Sequence, residues 1–239
     1  MDRAIQIAGE QTIGCVALRN THHWMRPGAY GLQAADAGCI GICWTNTIPN
    51  MPPWGGKEPK LGNNPIVLAV PRAEGHILLD MAVSMFSYGK LESYAIHDQM
   101  LPVDGGFDDN GNLTKDPKAV LETKQPLPIG CWKGSGLSLL LDLIAMVLSG
   151  GNSSLQVGKS GTEIGLSQLF IAFDLSKLSG KDFMLQSLEE TIADLHRTTP
   201  IREDGTVSYP GERMLHTRKE NLEKGVPVEP IFWEQVLRM

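Results

Sequence analysis

The chain has 239 residues and a mass of 26.1 kDa, a size that fits one large domain. It contains 21 Lys and Arg against 27 Asp and Glu, and the net charge of −6 argues against nucleic acid or an anionic membrane as a general partner. Hydrophobic residues make up 42%, which excludes general disorder. The longest apolar stretch, Leu137–Leu148, is interrupted by Ser138 and Asp142 and is shorter than the roughly 20 residues of a membrane span.

The cysteine pattern and the N-terminal residues indicate the cellular compartment of the protein. Four cysteines show neither a CxxC pair nor a short CxH pair. We therefore expect reduced thiols, with no metal site and no disulfide framework. No apolar segment of a secretory signal follows Met1. The sequence predicts a cytoplasmic protein.

In the first half of the chain, apolar patterning predicts short helices and strands with one long loop. The predicted elements are a helix ending at Ala8, a buried strand over Ile13–Leu18, a helix over Ala29–Ala37 ended by Gly38, and strands over Cys39–Trp44, Ile66–Val70 and Ile77–Met81. Residues 48–65 are dense in Pro and Gly. A loop of this length inside a domain is commonly functional or mobile.

The second half adds further helices and one more strand. We predict a polar loop over Asp104–Pro117, a buried helix over Leu137–Leu148, a strand over Leu169–Phe173, an amphipathic helix over Lys181–Arg197, a loop over Pro200–Gly211 and a charged helix after it. Strands and helices mix without a regular βαβ alternation. The predicted class is α/β, with a mixed sheet and flanking helices.

The first candidate for chemistry is the segment that contains His23 and Arg26, directly after a predicted strand. A histidine there can exchange protons near neutral pH or hydrogen-bond a substrate oxygen. Arg26 can hold a carboxylate through two hydrogen bonds. The alternative is a solvated loop with incidental histidines, and spacing alone leaves both open.

The second candidate is the glycine-rich turn around Lys133, which runs straight into the apolar helix. Glycines let a ligand approach the backbone, a helix N-terminus presents free N–H groups, and Lys133 adds a positive charge. Together they predict a phosphate-binding site. The alternative is a glycine turn that merely precedes a core helix. Neither GxGxxG nor GxxxxGK[ST] occurs in the chain, so a Rossmann or P-loop site is not supported.

The third candidate is Asp80, near the end of a predicted apolar strand. A carboxylate in this position can orient a histidine or hydrogen-bond a ribose. An acid that merely caps the following turn is an equally ordinary interpretation, so Asp80 alone is weak evidence.

Several runs of the sequence resemble the type-2 malate/L-lactate dehydrogenase family, which is unrelated to the Rossmann-fold enzymes of similar name. The resemblance extends nearly end to end and rests on Gly14–Asn20, His23–Arg26, Gly41–Asn46, Met51–Gly55, Met85–Lys90, Leu101–Asp109, Trp132–Gly136 and Pro210–Glu212. Met51-Pro52-Pro53-Trp54-Gly55 and Val103-Asp104-Gly105-Gly106-Phe107-Asp108-Asp109 resemble the branch that reduces 2,3-diketo-L-gulonate.

The resemblance implies a homodimeric NAD(P)H-dependent reductase with a cofactor fold of its own, acting on the C2 carbonyl of a small keto sugar acid. The branch favours NADH and leaves NADPH open. His23 matches a histidine on the substrate side and Asp80 an acid near the catalytic centre. The residues matching the family's cofactor contacts are His76, Ile77, Leu78, Leu79, Asp80, Met81, Ala82, Trp132, Lys133, Gly211, Glu212 and Arg213.

The chain also departs from the family pattern. The family's main proton donor is a histidine in a Ser-His-Gly motif, and no such motif occurs in these 239 residues. We expect one catalytic domain over residues 1–239 that lacks the family's N-terminal helical segment, with 212–239 as a helical tail. Relatives carry Thr at the position of Asn63. The alternatives are a malate, lactate or ureidoglycolate enzyme, or an inactive nucleotide-binding remnant.

Overall fold

The chain divides into two compact units, and the first is built on a five-stranded sheet. The computed structural model describes the backbone of residues 1–239 and every side chain except those of residues 182 and 231. The first unit contains Met1–Pro71 and Leu78–Ser179, and the second contains Arg72–Ile77 and Gly180–Met239.

The strands and helices follow one another in chain order over the described backbone. The strands are β1 (Ile13–His22), β2 (Cys39–Thr45), β3 (Ile66–Val70), β4 (Ile77–Met81), β5 (Gly106–Phe107), β6 (Leu113–Thr114) and β7 (Ile164–Asp174). The helices are α1 (Asp2–Gln11), α2 (Gly28–Asp36), α3 (Tyr88–Ile96), α4 (Pro117–Thr123), α5 (Trp132–Ser149), α6 (Ser154–Lys159), α7 (Lys181–His196), α8 (Glu212–Lys224) and α9 (Pro230–Leu237).

The large sheet has the strand order β1-β7-β2-β3-β4. The pairs β1–β7, β7–β2 and β2–β3 are antiparallel, and β5 and β6 form a separate two-stranded hairpin. Antiparallel pairing sets this sheet apart from the parallel sheet of a doubly wound dinucleotide fold. Strands with flanking helices confirm the predicted α/β class.

The first strand is longer and more exposed than the sequence predicts. β1 reaches His22, and of its residues only Gly14 is buried, so the prediction of a buried strand was wrong. The reason is its place at the edge of the sheet, where only β7 pairs with it. α1 approaches β1 so closely at Gly14 that a Cβ there would collide with the carbonyl oxygen of Ala4.

The long apolar helix α5 is also less buried than predicted. It starts five residues before Leu137, and only 28% of its length is buried. Its inward face carries Gly134, Ser138, Leu141, Asp142 and Ala145, whereas most of its leucines are exposed. By length and composition α5 is apolar enough to cross a membrane, a criterion that core helices of soluble proteins also meet.

Buried polar contacts fix α5 to the sheet. The Asn46 Nδ2 group donates to Asp142 Oδ1 at 2.8 Å, and the Ser154 N–H donates to the same oxygen at 2.8 Å. The Trp44 indole N–H donates to the carbonyl of Leu141 at 2.9 Å. Burial raises the pKa of Asp142 despite these hydrogen bonds, which favour its charged form. Buried groups with such partners specify how the helix docks.

Three helices in the first unit, α3, α4 and α6, were not predicted. Ser87 caps α3 by accepting the Lys90 N–H, and Asp116 caps α4 by accepting the Lys118 N–H at 2.9 Å. α3 and α4 are short, at 9 and 7 residues, and they pack on a small core cluster of Leu91, Leu101 and Val120. Ser87 and Asp116 are typical capping residues, but helices this short show little apolar periodicity, so the sequence pattern did not reveal them.

The second unit consists of helices α7 to α9 and the turn Arg72–Ile77. The predicted amphipathic helix is confirmed to within one residue as α7, with Ile192 buried on its inward face. Leu215 of α8 lies against Gly75, where a Cβ would collide with the leucine side chain. Gly75 has φ of 110°, so the turn needs glycine for two reasons.

Candidate active site

His23 lies directly beyond the end of β1 in the first unit, in a segment that aromatic packing holds in place. Its neighbour Trp24 is 5% exposed. The Trp24 ring stacks on Tyr30 with centroids 6.0 Å apart and meets Phe170 edge-on at 6.3 Å. The backbone of the segment is held as well, because Gln168 Nε2 donates to the carbonyl of His22 at 3.0 Å. His23 itself is exposed.

A backbone hydrogen bond fixes the tautomer of the neutral His23 ring. The Met25 N–H donates to His23 Nδ1 at 3.0 Å, and Met25 adopts φ of 63°, which brings its N–H back toward the ring. Since Nδ1 accepts, the neutral imidazole carries its proton on Nε2. An exposed Nε2–H can donate to a substrate oxygen.

Asp80 reaches the N-terminus of α2, five residues after His23. Its Oδ2 accepts the Gly28 N–H at 2.9 Å, and a Cβ on Gly28 would lie 2.9 Å from that oxygen. Burial raises the pKa of the Asp80 carboxyl, and this effect outweighs the opposing hydrogen bond from Gly28 and the positive charge of Arg26. The structure therefore brings the Arg26–Gly28 segment and Asp80 together.

The segment that follows β4 is hydrogen-bonded to the segment that leads into α5. The Ile129 N–H donates to the Val83 carbonyl at 2.9 Å, and the Met85 N–H donates to the Leu127 carbonyl at 2.7 Å. This pairing joins the segment that follows β4 to the start of the turn that leads to Trp132 and Lys133. Both of these residues are exposed, Trp132 by 66%.

The backbone of the glycine turn is unusual. Gly130 and Cys131 have consecutive positive φ angles of 56° and 60°, which a cysteine seldom adopts. The N–H groups of Lys133, Gly134 and Ser135 already donate to carbonyls of the preceding turn. The prediction that this helix start offers a set of free N–H groups was therefore wrong. A phosphate here would rely on the Lys133 ammonium and on the helix dipole.

Charged and aromatic side chains form a network in the second unit. Arg72 makes a two-pronged hydrogen bond to Glu189, with Nε–Oε1 and Nη2–Oε2 distances of 2.8 and 2.7 Å. Its Nη1 donates to the Tyr209 hydroxyl at 3.1 Å. His76 Nδ1 accepts the Arg72 N–H at 3.1 Å, so its neutral ring also carries the proton on Nε2.

Gly211, Glu212 and Arg213 form the start of α8 in the same unit. Gly211 is the N-cap with φ of 96°. Glu212 Oε2 accepts the Tyr209 N–H and meets His196 Nε2, both at 3.1 Å. Glu212 and Arg213 line a cavity of about 560 Å³ together with His196 and His216.

The predicted cofactor residues thus form two groups, each within one unit. The first unit holds Leu78, Leu79, Asp80, Met81, Ala82, Trp132 and Lys133; the second holds His76, Ile77, Gly211, Glu212 and Arg213. The sequence analysis missed the network of Arg72, Glu189 and Tyr209. No local signal could reveal it, because Arg72 and Glu189 lie 117 positions apart.

Asn63 holds the proline-rich loop of residues 48–65 together. Its N–H donates to Asn50 Oδ1 at 2.7 Å, and Asn50 Nδ2 donates back to Asn63 Oδ1 at 3.1 Å. The Thr47 hydroxyl also donates to Asn63 Oδ1 at 3.3 Å. Asn63 Oδ1 therefore has its hydrogen-bond partners within the loop and directly before it. Among the described side chains, no three His, Cys, Asp or Glu residues come together as metal ligands.

The sequence of the chain matches the malate/L-lactate dehydrogenase family over residues 1–237. The protein belongs to this family of nicotinamide-dependent oxidoreductases. It is 46% identical to 2,3-diketo-L-gulonate reductase of Citrobacter koseri over 99% of this chain and 71% of that protein, and 45% identical to the enzyme of the same name from Escherichia coli with the same coverage.

Solved structures show the same fold. Malate dehydrogenase from Entamoeba histolytica superposes with a TM-score of 0.90 at 25% identity, covering 99% of this chain and 70% of that one. Sulfolactate dehydrogenase from Methanocaldococcus jannaschii gives a TM-score of 0.85 at 29% identity, covering 98% and 68%. These findings confirm the family and the oxidoreductase class expected from the sequence.

Proposed function

We propose that the protein is an NADH-dependent reductase that transfers a hydride to the C2 carbonyl of 2,3-diketo-L-gulonate. The observation that carries the proposal is the 46% identity to reductases of that name over 99% of the chain. The position of His23 supports it, because an exposed Nε2–H beyond the edge strand can meet a carbonyl or carboxylate oxygen. NADPH in place of NADH is tested in the same assay.

The residues available for the cofactor fit an anionic dinucleotide. Lys133 offers an ammonium group at the start of α5, and the exposed Trp132 offers an aromatic surface beside it. In the second unit, Arg213 lines a cavity, and its guanidinium suits a phosphate. A bound nicotinamide would supply the hydride, and the protein's task is to position the substrate and provide a proton.

On the substrate side, three groups have separate tasks. His23 donates a hydrogen bond from its Nε2–H to a substrate oxygen, and Arg26 attracts the carboxylate of the acid. Asp80 is a positioning residue, because it holds the N-terminus of α2 through Gly28 and so fixes the segment that carries Arg26.

Oxidation of NADH, followed by its absorbance, tests the proposal with 2,3-diketo-L-gulonate as substrate. We expect His23→Ala to lower kcat/KM by about 10²–10³, because the hydrogen bond to the reacting oxygen is lost, while His97→Ala, the matched exposed histidine, leaves it unchanged. Turnover of malate, lactate or ureidoglycolate in preference to the diketo acid would contradict the proposed substrate.

A second candidate is a nucleotide-binding protein without turnover. It is the alternative that the sequence left open, in which the cofactor residues bind a nucleotide and no acid is reduced. Fluorescence titration with NADH separates the two, since saturable binding without oxidation of NADH by any acid in the panel would establish the second.

The remaining parts of the proposal concern partners and place. We infer a homodimer, supported by exposed apolar side chains along α5, among them Leu140 and Val147, which are 57% and 68% exposed. Sedimentation velocity of the wild type and of Leu140→Glu tests this, and a monomeric wild type would contradict it. We also propose a cytoplasmic location, no nucleic-acid or membrane partner, and one catalytic domain over residues 1–239 with 212–239 as its helical tail.

A further inference from the structure

A second cavity, in the first unit, is lined by the two runs of sequence that resemble the diketogulonate branch. It measures about 550 Å³. The Met51–Gly55 run contributes Trp54 and Gly55, and the Val103–Asp109 run contributes Phe107 and Asp109. Gly56, Lys57, Asn110, Gly111 and Gln125 complete its lining. The volume lies within the roughly 300–1,000 Å³ of small-molecule sites.

Both walls of this cavity are fixed by hydrogen bonds. On one side, the Trp54 N–H donates to Ser135 Oγ at 3.0 Å. On the other side, Phe107 lies on the β5–β6 hairpin, and its carbonyl accepts the Thr123 hydroxyl at 2.8 Å. The Phe107 N–H donates to the Gln125 carbonyl at 3.1 Å. A site held in this way loses little freedom when a ligand binds.

The adjoining turn is fixed in the same manner. Asp108 Oδ1 accepts the N–H groups of Asn110 and Asn112 at 3.0 and 2.8 Å. Gly111 adopts φ of 80°, as the turn requires. The hydrogen bonds of Asp108 are thus used within the turn, and Asp109 and Asn110 are left to face the cavity.

The lining combines an aromatic surface with polar groups that have no partner in the protein. Trp54 is 48% exposed and Phe107 is half-buried. Within the described part of the chain, the side chains of Asp109, Asn110 and Gln125 make no hydrogen bond or ion pair. Together they offer both donors and acceptors.

This combination fits a chain or ring of hydroxylated carbons. Such a ligand presents C–H groups on its faces, which pack on an indole, and hydroxyl groups on its edges, which both donate and accept hydrogen bonds. We propose that the cavity is a binding subsite for a polyhydroxylated chain, whose aromatic floor is Trp54 and whose hydroxyl partners are Asp109, Asn110 and Gln125.

The position of the subsite connects it to the proposed reaction, on which this further step rests. Ser135, which holds Trp54, lies in the first turn of α5, two residues after Lys133. A six-carbon sugar acid has a hydroxylated tail of three carbons beyond its reacting end. Lactate and malate lack that tail. The subsite therefore distinguishes sugar acids from the short acids that other family members take.

Calorimetric titration of the protein, with and without NADH, tests the subsite with L-gulonate and L-lactate as probes. We expect L-gulonate to bind at least about 10-fold more tightly than L-lactate, since only it reaches the subsite. Trp54→Ala and Gln125→Ala should each remove this preference. Trp233→Ala is the matched control, because Trp233 is 52% exposed and lies on α9, and it should leave the preference intact.

Direct binding keeps this test separate from the proposed catalysis, because neither probe has a carbonyl to reduce. A preference for L-gulonate that survives both substitutions would overturn the subsite, as would a wild type that does not prefer L-gulonate. If Trp54→Ala instead weakens NADH and leaves L-gulonate unaffected, the cavity holds part of the dinucleotide and the proposal is wrong.

Discussion

His23 in the first unit and His76 in the second have the same local geometry and different support. Each accepts a backbone N–H at Nδ1, from Met25 at 3.0 Å and from Arg72 at 3.1 Å, so each neutral ring carries its proton on Nε2. The segment of His23 is anchored by the buried ring of Trp24, whereas the turn of His76 is anchored by the ion pair of Arg72.

The same histidine geometry is thus stabilised in two different ways, by burial of an aromatic ring and by an ion pair. Aromatic burial depends little on pH and salt, while a partly exposed ion pair depends on both. The Arg72 side chain is 11% exposed and that of Glu189 is 45% exposed, so solvent screens one end of the pair. We therefore expect the His23 segment to hold its geometry under conditions that loosen the His76 turn.

The largest effect should follow from removing the aromatic anchor. Trp24→Ala leaves a cavity between Tyr30 and Phe170, and we expect a loss of about 3–5 kcal/mol in the free energy of unfolding. Urea unfolding followed by circular dichroism measures it. Trp233→Ala, at an exposed tryptophan, should cost only about 0.5 kcal/mol. Equal losses in the two variants would show that Trp24 does not anchor the segment.

A smaller effect is expected at the N-terminus of α2. Asp80→Ala leaves the Gly28 N–H without its acceptor and should lower the free energy of unfolding by about 1 kcal/mol, whereas Asp80→Asn keeps an acceptor oxygen. The same unfolding assay compares them at pH 7. If both variants lose the same amount, the hydrogen bond to Gly28 contributes nothing.

The same pair of variants has a signed pH dependence. Because the folded protein raises the pKa of Asp80 from its usual 3.8, it binds this proton more tightly than the unfolded chain. Asp80 thus makes folding less favourable as pH rises through the interval from 3.8 up to the raised value. The stability difference between Asp80→Asn and the wild type should therefore grow in favour of Asn over that interval. A difference that shrinks with rising pH would contradict the sign.

The smallest effect should appear in the second unit. Arg72 lowers the pKa of Glu189 from its usual 4.5, so the pair stabilises the folded state above pH 4.5 and loses this effect as pH falls through the lowered value. Hydrogen exchange of α7, corrected for intrinsic rates, should show less protection in Glu189→Gln than in the wild type at pH 6. The two should converge as pH falls below the lowered pKa of Glu189. Exchange in β2 serves as the internal control and should not change.

Local sequence signals predicted one side of the sheet well. β3 and β4 have the predicted bounds: β3 is an apolar run between Pro65 and Pro71, and β4 begins two residues after Gly75. Burial was harder to predict: β1 is an edge strand, and the strand order is a property of the whole sheet. For α5, an apolar run on all sides of a helix does not say which face packs inward.

Sequence reasoning named single candidate residues, whose roles stay predictions, but it did not foresee how they are arranged. Strand ends and glycine turns pointed to Asp80 and Lys133. The prediction that N–H groups are free at the start of α5 failed because the turn before it, with Gly130 and Cys131 at positive φ, supplies their acceptors. The cavity around Trp54 combines segments more than 50 residues apart, beyond any local pattern.

Fluorescence titration of NADH against the wild type, Lys133→Gln and Lys159→Gln tests the central claim most directly. If a dinucleotide binds at the turn before α5, the wild type binds NADH saturably, and Lys133→Gln binds it about 10-fold more weakly because a charge-assisted contact to phosphate is lost. Lys159→Gln, at the exposed last position of α6, should match the wild type. Absence of saturable binding to the wild type, or equal affinity in Lys133→Gln, would contradict the claim.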